Sequence, residues 1–306
     1  MQRAYISALY SLMQQDKRVV SLLSDSGTDY DELMAREMPQ QCYNFGISEQ
    51  NKLGIAAGMA MCGKIPFVYT SGAFLAFRGY EFIRNDVCYQ NQNVKIVGMG
   101  SGTSWRTLGP SHHTTEDLAA LRAIPNLSVL SPATPVEAAE CVRAAYEHTG
   151  PVYIRLGMGG EPEYFDAGHT VAFGRTTRLA DGSAAAVFCT GSILGEVMAS
   201  RGILLAQGID ISVYNVCSIK PFDAAALLEA AGKCNRIFTV EEHSISGGLG
   251  GAAAEILAGV ESPAVLTRIG LDDRFAKGYG SQEEVRRKNG LDAESIAETI
   301  WGRING

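Results

Sequence analysis

A single carboxylate lies at the start of a segment built for close packing. Residues 44–61 read NFGISEQNKLGIAAGMAM, and their small apolar side chains predict a helix that packs tightly against its neighbours. Glu49 falls in the first turn of that helix. The helix dipole favours an acid there, typically by about 0.3–1 kcal/mol, so the position alone requires no function. The chemistry depends on what lies near the carboxylate.

Aromatic residues follow this helix at a spacing that puts them on one face. In FLAFRGY, residues 74–80, Phe74, Phe77 and Tyr80 stand at positions i, i+3 and i+6. A helix aligns rings at this spacing, and such a stripe most often packs into a core. Together with Glu49, the rings could instead hold a flat heterocycle. The heterocycle would stack on the aromatics, and the carboxylate would bond an edge nitrogen.

Other candidate sites in the sequence are weaker. GMAMCGK, residues 58–64, runs from a helix into a strand and is followed by Ile65, whereas a phosphate loop runs from a strand into a helix and ends in Ser or Thr. GGLGGAAAE, residues 247–255, has part of a dinucleotide pattern, but HSIS separates it from the preceding strand. We expect close backbone packing at a helix start there, with His243 in domain or subunit packing. His112 and His113 are adjacent and lack a carboxylate or cysteine cluster, so no zinc site is predicted.

Composition narrows the class of protein. The chain has 306 residues, enough for about two domains, and a net charge of −7, which argues against a nucleic-acid or anionic-membrane surface. No uncharged apolar run reaches the ~18 residues of a membrane span, and the first residues predict an amphipathic helix instead of a signal sequence. The seven cysteines are scattered without a CxxC pair. Reduced thiols in a cytoplasmic protein are therefore expected.

Apolar runs alternate with helical patterns along the chain. Runs of about five residues without polar alternation predict strands buried on both faces. The predicted strands are 19–25, 65–71, 93–100, 128–133, 151–157, 184–192, 211–221, 236–244 and 264–270. Their alternation with helices, such as the one in 134–150, predicts an α/β fold with two three-layer α/β/α domains and mostly parallel sheets. The glycine-rich segment 158–178 lacks apolar periodicity and contains the boundary.

Several segments together resemble the transketolase family, which depends on thiamin diphosphate. FGISEQNKLGIAAGMA, FVYTSGAFLAFRGYEFIR and LGPSHHTTEDLAALRAIPNLSVLSPATPVEA are similar to its pyrimidine-binding domain. SIKPFD and TVEEHSISGGLGGAAAEIL are similar to its C-terminal domain. The resemblance covers nearly the whole chain in the order of the family. It implies a pyrimidine-binding domain at 1–160, a linker at 161–178 and a C-terminal domain at 179–306.

The resemblance also implies roles for individual side chains. Glu49 matches the glutamate that bonds the aminopyrimidine ring of thiamin diphosphate and favours the tautomer that takes a proton from the cofactor's reactive carbon. Phe77 matches the aromatic that stacks on this ring. The other matched positions are Phe74 and Tyr80, which would line the same pocket, Asp25, which would lie near the cofactor, and His112, which would contact the hydroxyl groups of the donor.

One half of the cofactor site has no counterpart in the sequence. Transketolases hold the diphosphate and its metal through a GDG motif and a downstream Asn in a preceding domain. Neither is found here, and the chain starts directly with the helix of the pyrimidine-binding domain. Two explanations compete, a split enzyme and a fragment of a longer one, and the helix that follows Met1 favours the first. We therefore expect a partner chain that holds the diphosphate and Mg²⁺ or Ca²⁺. A heterotetramer of two chains of each kind is expected, with cofactor sites at the interfaces.

Positions matched to the substrate pocket of the family are largely altered. Arg3 and Arg155 match arginines of the pocket and are the predicted substrate ligands. The departures are Thr28 or Asp29 in place of a serine, Gly100 in place of a histidine, Leu108 in place of an acid, and Met158 in place of a second arginine. Losing an arginine–phosphate pair removes a charge-assisted contact. The donor is therefore expected to differ from a standard ketose phosphate, or its tail is read by the partner chain.

Other functions remain open at this point. The leading hypothesis is a subunit that transfers a two-carbon ketol unit. A second is another thiamin-diphosphate reaction, either condensation of pyruvate with an aldehyde as in deoxyxylulose-phosphate synthase or the β-subunit reaction of a 2-oxoacid dehydrogenase. A third is a non-catalytic regulatory subunit that keeps the fold.

Overall fold

Two β-sheets flanked by helices organise the chain. The computed structural model describes residues 1–24, 29–261 and 264–306. The strands are β1 (Val19–Leu23), β2 (Cys42–Asn44), β3 (Ile65–Ser71), β4 (Lys95–Met99), β5 (Ser128–Leu130), β6 (Val152–Leu156), β7 (Thr177–Ala180), β8 (Ala185–Thr190), β9 (Ile211–Asn215), β10 (Ser218–Lys220), β11 (Arg236–Ser244) and β12 (Val265–Leu271).

The α-helices surround these strands. They are α1 (Gln2–Gln15), α2 (Asp29–Glu37), α3 (Glu49–Met61), α4 (Tyr80–Phe82), α5 (Asp117–Arg122), α6 (Pro135–Glu147), α7 (Leu194–Ala206), α8 (Ala224–Lys233), α9 (Leu249–Ala258), α10 (Gln282–Lys288) and α11 (Ala293–Asn305). Phe74–Arg78 and Ile83–Tyr89 form π-helical turns on either side of α4. Among the residues in the described ranges, every helix is too short or too polar to span a bilayer.

The first sheet has the order β10-β5-β6-β4-β3-β1-β2 over the described residues. Its strands are parallel, apart from β10, which pairs antiparallel with β5. All residues of β1, β3, β4 and β6 are buried, because helices cover both faces. Side chains of α1 and α6 pack on one face, and those of α3 and α5 pack on the other. The carboxyl ends of its central strands meet at one edge, where ligands bind in such sheets.

The second sheet has the order β12-β11-β8-β9-β7 within the described part of the chain. It is parallel except for β7, which pairs antiparallel with β9. Side chains of α7, α10 and α11 pack on one face. Helices α8 and α9 share a core with the first domain on the other face. The prediction of two α/β/α domains with mostly parallel sheets is confirmed.

The structure departs from the sequence prediction at the edges of the sheets. The short strands β2 and β7 were not predicted, and the predicted strand 211–221 divides into β9 and β10. Residues 157–176, all of which are described, contain no helix or strand, as expected for a connection between domains. Strand β10 comes from the second half of the chain yet completes the sheet of the first half. The division at 161–178 therefore does not coincide with a complete separation of the two sheets.

A buried polar network joins the two halves. Glu242 at the end of β11 accepts hydrogen bonds from the Thr103 backbone at 3.2 Å, Ser192 Oγ at 3.2 Å and Arg286 Nη2 at 2.8 Å. Burial by itself would raise the pKa of Glu242, but the Arg286 guanidinium and the hydrogen bonds lower this pKa from 4.5 to about 2. A buried charge requires such pairing, so Glu242 fixes the position of one domain against the other.

The glycine-rich segment 247–255 opens α9, and its first amides are already bonded. Glu241 accepts hydrogen bonds from the backbone of Leu249 at 2.7 Å and of Gly250 at 2.8 Å. His243 Nε2 lies 3.3 Å from the Ala119 amide, which donates to it. The helix start thus serves internal packing, and His243 contributes to packing between the domains, as predicted.

Candidate functional site

The candidate site begins with a buried carboxylate at the start of α3. Helix α3 follows β2 through a short turn, and Glu49 is its first residue, with 2% of its surface exposed. Glu49 Oε2 lies 3.2 Å from Nη1 of Arg78. Arg78 is half-exposed, so the pair opens to solvent on one side. A buried carboxylate that solvent reaches only through its partner is a suitable anchor for a polar ligand.

The aromatic stripe downstream of β3 is interrupted by a π-helical turn at Phe74–Arg78. A π turn widens the helix and changes the facing of successive side chains, and it occurs often at functional sites. Phe74 and Phe77 line a cavity, and Phe77 is 42% exposed. Tyr80 instead packs against the core, and its hydroxyl donates to the Ala120 carbonyl at 3.3 Å. Two of the three predicted rings are therefore brought together, and Tyr80 supports them from behind.

The cavity beside these rings has a volume of 450 Å³. Its lining residues come from both halves of the chain: Ala73, Phe74, Phe77, Arg78, Pro110, Ser111, His113, Glu116 and Phe275. The rings of Phe74 and Phe77 are called its floor, and the lining combines them with polar side chains, as is typical of sites for flat organic ligands. Phe275 was not predicted, because the C-terminal domain shows no signal of its own for this site.

The two adjacent histidines diverge, as their sequence predicts. The His112 ring lies 4.9 Å from the Phe74 ring, and its Nδ1 lies 2.9 Å from Ser111 Oγ. His113 is turned inward, and its Nε2 lies 3.2 Å from the Arg106 carbonyl. Burial lowers the pKa of His113 below its ordinary value. His112 thus lies against the Phe74 ring, whereas His113 contributes to the lining of the cavity.

A buried lysine behind Glu49 was missed by sequence reasoning. Lys52 lies one turn along α3, and its Nζ donates to Ser24 Oγ and, at 3.2 Å, to the Tyr69 carbonyl. Burial lowers the pKa of Lys52 to about 8, against an opposing contribution from Glu49. The spacing of Glu49 and Lys52 was visible in the sequence, but an inward-facing lysine is rare and its partners are distant in the chain.

Arg155, a predicted substrate ligand, is buried among partners within the chain. It is 2% exposed, and its Nε lies 3.0 Å from both carboxylate oxygens of Asp117. Its Nη2 donates to the carbonyls of Thr114 at 2.8 Å and Glu242 at 3.1 Å. These partners lie inside the chain and engage Nε and Nη2, which argues against Arg155 as a substrate ligand, and that role stays a prediction. A motif match fixed the residue type but carried no information on burial.

Of the remaining predicted residues, some lie outside the described ranges and one is exposed on α1. Asp25 lies outside the described residues, as does Thr28. Arg3 is exposed in the first turn of α1, and its guanidinium makes no ion pair with the described part of the chain. Within that part, no group of three or more His, Cys, Asp or Glu side chains is arranged to hold a metal ion.

Gly100 shows how the pocket departs from the family pattern. Its backbone has a φ of 79°, which favours glycine, and a Cβ there would collide with the Trp105 indole. The Trp105 ring lies 5.8 Å from the His112 ring. A histidine side chain at position 100 therefore has no space, because Trp105 occupies it.

Comparisons with known proteins agree with this architecture. Residues 1–159 match the family described as transketolase, pyrimidine binding domain, and residues 174–296 match the transketolase, C-terminal domain. The chain is 35% identical over 263 residues to an apulose-4-phosphate transketolase chain of Actinobacillus succinogenes, covering 86% of this chain and 85% of that protein. It is 34% identical over 297 residues to a 6-deoxy-6-sulfo-D-fructose transketolase chain of Clostridium sp., covering 95% and 90%.

One solved structure is similar over nearly its full length. It is described as a split gene transketolase, inactive beta4 tetramer, with a TM-score of 0.91 and 36% identity. The match covers 99% of this chain and 97% of that chain.

Proposed function

Because this chain belongs to the transketolase family, we propose that it supplies the pyrimidine-binding half of a thiamin-diphosphate site in a two-chain transketolase. The enzyme moves a two-carbon ketol unit from a ketose donor to an aldose acceptor. The buried Glu49 carboxylate beside an aromatic-floored cavity of 450 Å³ is the observation that carries this proposal.

The residues present suit the ring of thiamin diphosphate. Phe74 and Phe77 offer faces for an aminopyrimidine, and Glu49 Oε2 is an acceptor for a hydrogen bond from its ring nitrogen. Offset stacking of this kind contributes about 0.5–1.5 kcal/mol beyond the area buried. Tyr80 holds the aromatic segment against α5 through the Ala120 carbonyl. Asp25 keeps its proposed place near the cofactor from the family motif alone.

When bound, thiamin diphosphate supplies the carbon nucleophile that side chains lack. Glu49 holds the proton of the ring nitrogen at Oε2 and sets the tautomer. Phe74 and Phe77 fix the plane of the ring and exclude water from it. Ser111 Oγ engages His112 Nδ1, which leaves Nε2 for a hydroxyl group of the donor. Arg3, exposed at the start of α1, is the proposed ligand for the donor's far end.

A partner chain is proposed to hold the diphosphate and its Mg²⁺ or Ca²⁺. Support comes from relatives of similar length, one named as a transketolase subunit and one described as a split gene product. Phe77 and Phe275 in the cavity lining expose 42% and 69% of their surfaces, which suits a contact with a second chain. We propose an assembly of two chains of each kind. The seven free thiols support a cytoplasmic location.

The donor is proposed to differ from a standard ketose phosphate. Trp105 fills the space of the expected histidine, and Leu108 is half-exposed where an acid was expected. Two relatives are named for apulose 4-phosphate and for a sulfonated fructose. A branched or sulfonated ketose is therefore the proposed donor class.

Reconstitution tests the function. The chain is co-expressed with a diphosphate-binding transketolase chain, and the complex is separated by size exclusion. Transfer of a two-carbon unit is then measured with fructose 6-phosphate, with a sulfonated ketose and with a non-phosphorylated ketose. Preference for an atypical donor is expected. Full activity on fructose 6-phosphate contradicts the donor proposal, and CO₂ release from pyruvate contradicts the transketolase reaction itself. Tight thiamin-diphosphate binding by the chain alone contradicts the need for a partner.

A further inference from the structure

One side chain engages both binding features of the candidate site. Arg78 Nη1 lies 3.2 Å from Glu49 Oε2, and Arg78 Cζ lies 3.9 Å from the centroid of the Phe74 ring. A guanidinium is a flat cation that stacks on aromatic faces and donates hydrogen bonds in its own plane. An aminopyrimidine ring bonded to Glu49 requires the same carboxylate and the space beside the Phe74 ring. Arg78 and such a ring therefore exclude each other.

We propose that the Arg78 side chain occupies the face of Phe74 and the Glu49 carboxylate until the cofactor's ring displaces it. Arg78 is in this sense a stand-in for the ring. The inference rests on the proposed function, since the competing ring is that of thiamin diphosphate. Arg78 is then a positioning residue, because it acts through Glu49 and Phe74.

Glu49 and Arg78 differ in burial. The Glu49 side chain is 3% exposed and fixed in the first turn of α3, whereas the Arg78 side chain is 44% exposed. An exposed ion pair is weak, because water screens it and a long side chain loses freedom. Displacement therefore moves Arg78 into solvent and leaves the carboxylate in place.

Lys52 makes this exchange possible. Removing one partner of a buried charge is costly when nothing replaces it. Lys52 stays fixed by Ser24 Oγ and the Tyr69 carbonyl, and it interacts electrostatically with Glu49. Glu49 thus has one permanent cation behind it and one exchangeable cation in front. The carboxylate keeps a compensating charge while Arg78 and the ring change places.

Calorimetric titration of the reconstituted two-chain complex with thiamin diphosphate and Mg²⁺ tests the exchange. Arg78→Met removes the competitor, so the dissociation constant is expected to fall about five- to ten-fold, from the combined strength of an exposed ion pair and a cation–π contact. Arg84→Met is the matched control, since Arg84 is exposed, lies six residues further along the chain and bonds the side chain of its neighbour Asn85 at 2.9 Å. The control should bind like the wild type. Unchanged or weaker binding by Arg78→Met overturns the proposal.

A second measurement uses the full chain by itself and needs no cofactor. Thermal unfolding is compared for wild type, Arg78→Met, Glu49→Gln and the double variant. If the contact forms, the double variant loses less Tm than the sum of the single variants. Additive losses overturn the stand-in role alone. Failure of the wild-type complex to bind thiamin diphosphate overturns the proposed function and the stand-in role together.

Discussion

Two buried carboxylates in this chain are each paired with an arginine, but one pair is closed and the other is open. Asp117 and Arg155 expose 0% and 2% of their side chains, and Tyr153 donates a further hydrogen bond to Asp117 at 2.7 Å. Glu49 is equally hidden, yet its partner Arg78 faces the cavity. Burial of an acid therefore does not by itself mark a functional site. The exposure of the paired arginine distinguishes the two: buried Arg155 joins the domains, whereas half-exposed Arg78 leaves Glu49 available to a ligand.

Hydrogen bonds to neighbouring residues hold the closed pair, Asp117 and Arg155, in place. Arg155 donates from Nη2 to backbone carbonyls on both sides of the domain junction, in addition to its pairing with Asp117 through Nε, so its geometry is fixed. Such a pair contributes little net stability relative to apolar residues but is costly to break. The open pair is held by one ion pair and one ring contact. A ligand can therefore replace Arg78 without disturbing the fold.

The largest expected effect is on turnover, and it belongs to the open pair. Glu49→Gln keeps the shape of the side chain but removes its charge, so transfer by the reconstituted complex is expected to fall by about a hundred-fold or more. Steady-state assays measure this, and Glu81→Gln, an exposed acid on α4, serves as the control. Intact turnover in Glu49→Gln would show that catalysis does not depend on this carboxylate.

The next effect concerns stability, and it should be larger at the closed pair than at the open pair. Arg155→Met leaves Asp117 buried without its cation, and the free energy of unfolding is expected to fall by ~3–5 kcal/mol. Arg78→Met, at the exposed pair, is expected to cost less than about 1 kcal/mol. Urea unfolding of the full chain measures both. Adding Asp117→Leu to Arg155→Met should recover part of the loss, and equal losses for the two arginine variants would remove the distinction.

The junction should also respond to acid. The pKa of Glu242 is lowered from 4.5 to about 2, so the folded state binds the proton less readily than the unfolded chain. Its stabilising contribution is therefore complete above pH 4.5 and is lost as the pH falls towards about 2. Unfolding midpoints across this range should fall more steeply for the wild type than for Glu242→Gln. Parallel profiles would mean that Glu242 is not held as an anion.

The smallest effect belongs to the floor of the cavity. Phe77→Leu keeps an apolar side chain but removes the stacking face, so thiamin-diphosphate affinity of the complex should weaken about three- to ten-fold. Because Phe77 is 42% exposed, Tm should change little. Calorimetry measures the affinity, with Tyr89→Leu, an exposed aromatic outside the cavity lining, as the control. Unchanged affinity would place the ring elsewhere.

The sequence predicted those features that depend on local pattern. The central strands are buried on both faces, so their continuous apolar runs were recognisable, and the fold class followed from their alternation with helices. Glu49, Phe74 and Phe77 were identified through the family motif. The two rings line one cavity, and Glu49 contacts Arg78, which lines it too. The short edge strands β2 and β7 were missed because three or four half-buried residues carry little periodic signal.

Features that depend on distant contacts were not predictable from one sequence. Lys52 and Arg78 acquire their roles from residues far away in the chain, and Phe275 reaches the cavity from the other domain. The burial of Arg155 was missed for the same reason, since its motif gave no sign of Asp117 as its partner. The π-helical turn at Phe74–Arg78 also escaped prediction, as did the packing of Tyr80 against the core instead of in the cavity lining.

Strand β10 has a consequence for how the gene product can be divided. Ser218 and Lys220 pair with Leu130 and Val129, so the outermost ladder of the first sheet is closed by residues translated long after it. A protein truncated near residue 160 would present the bare amides and carbonyls of β5 to other molecules, and exposed ladders of this kind promote aggregation. Neither half is thus a self-sufficient module. Evolutionary fission between the two sheets would leave one product without an edge strand and the other with a strand that has no sheet.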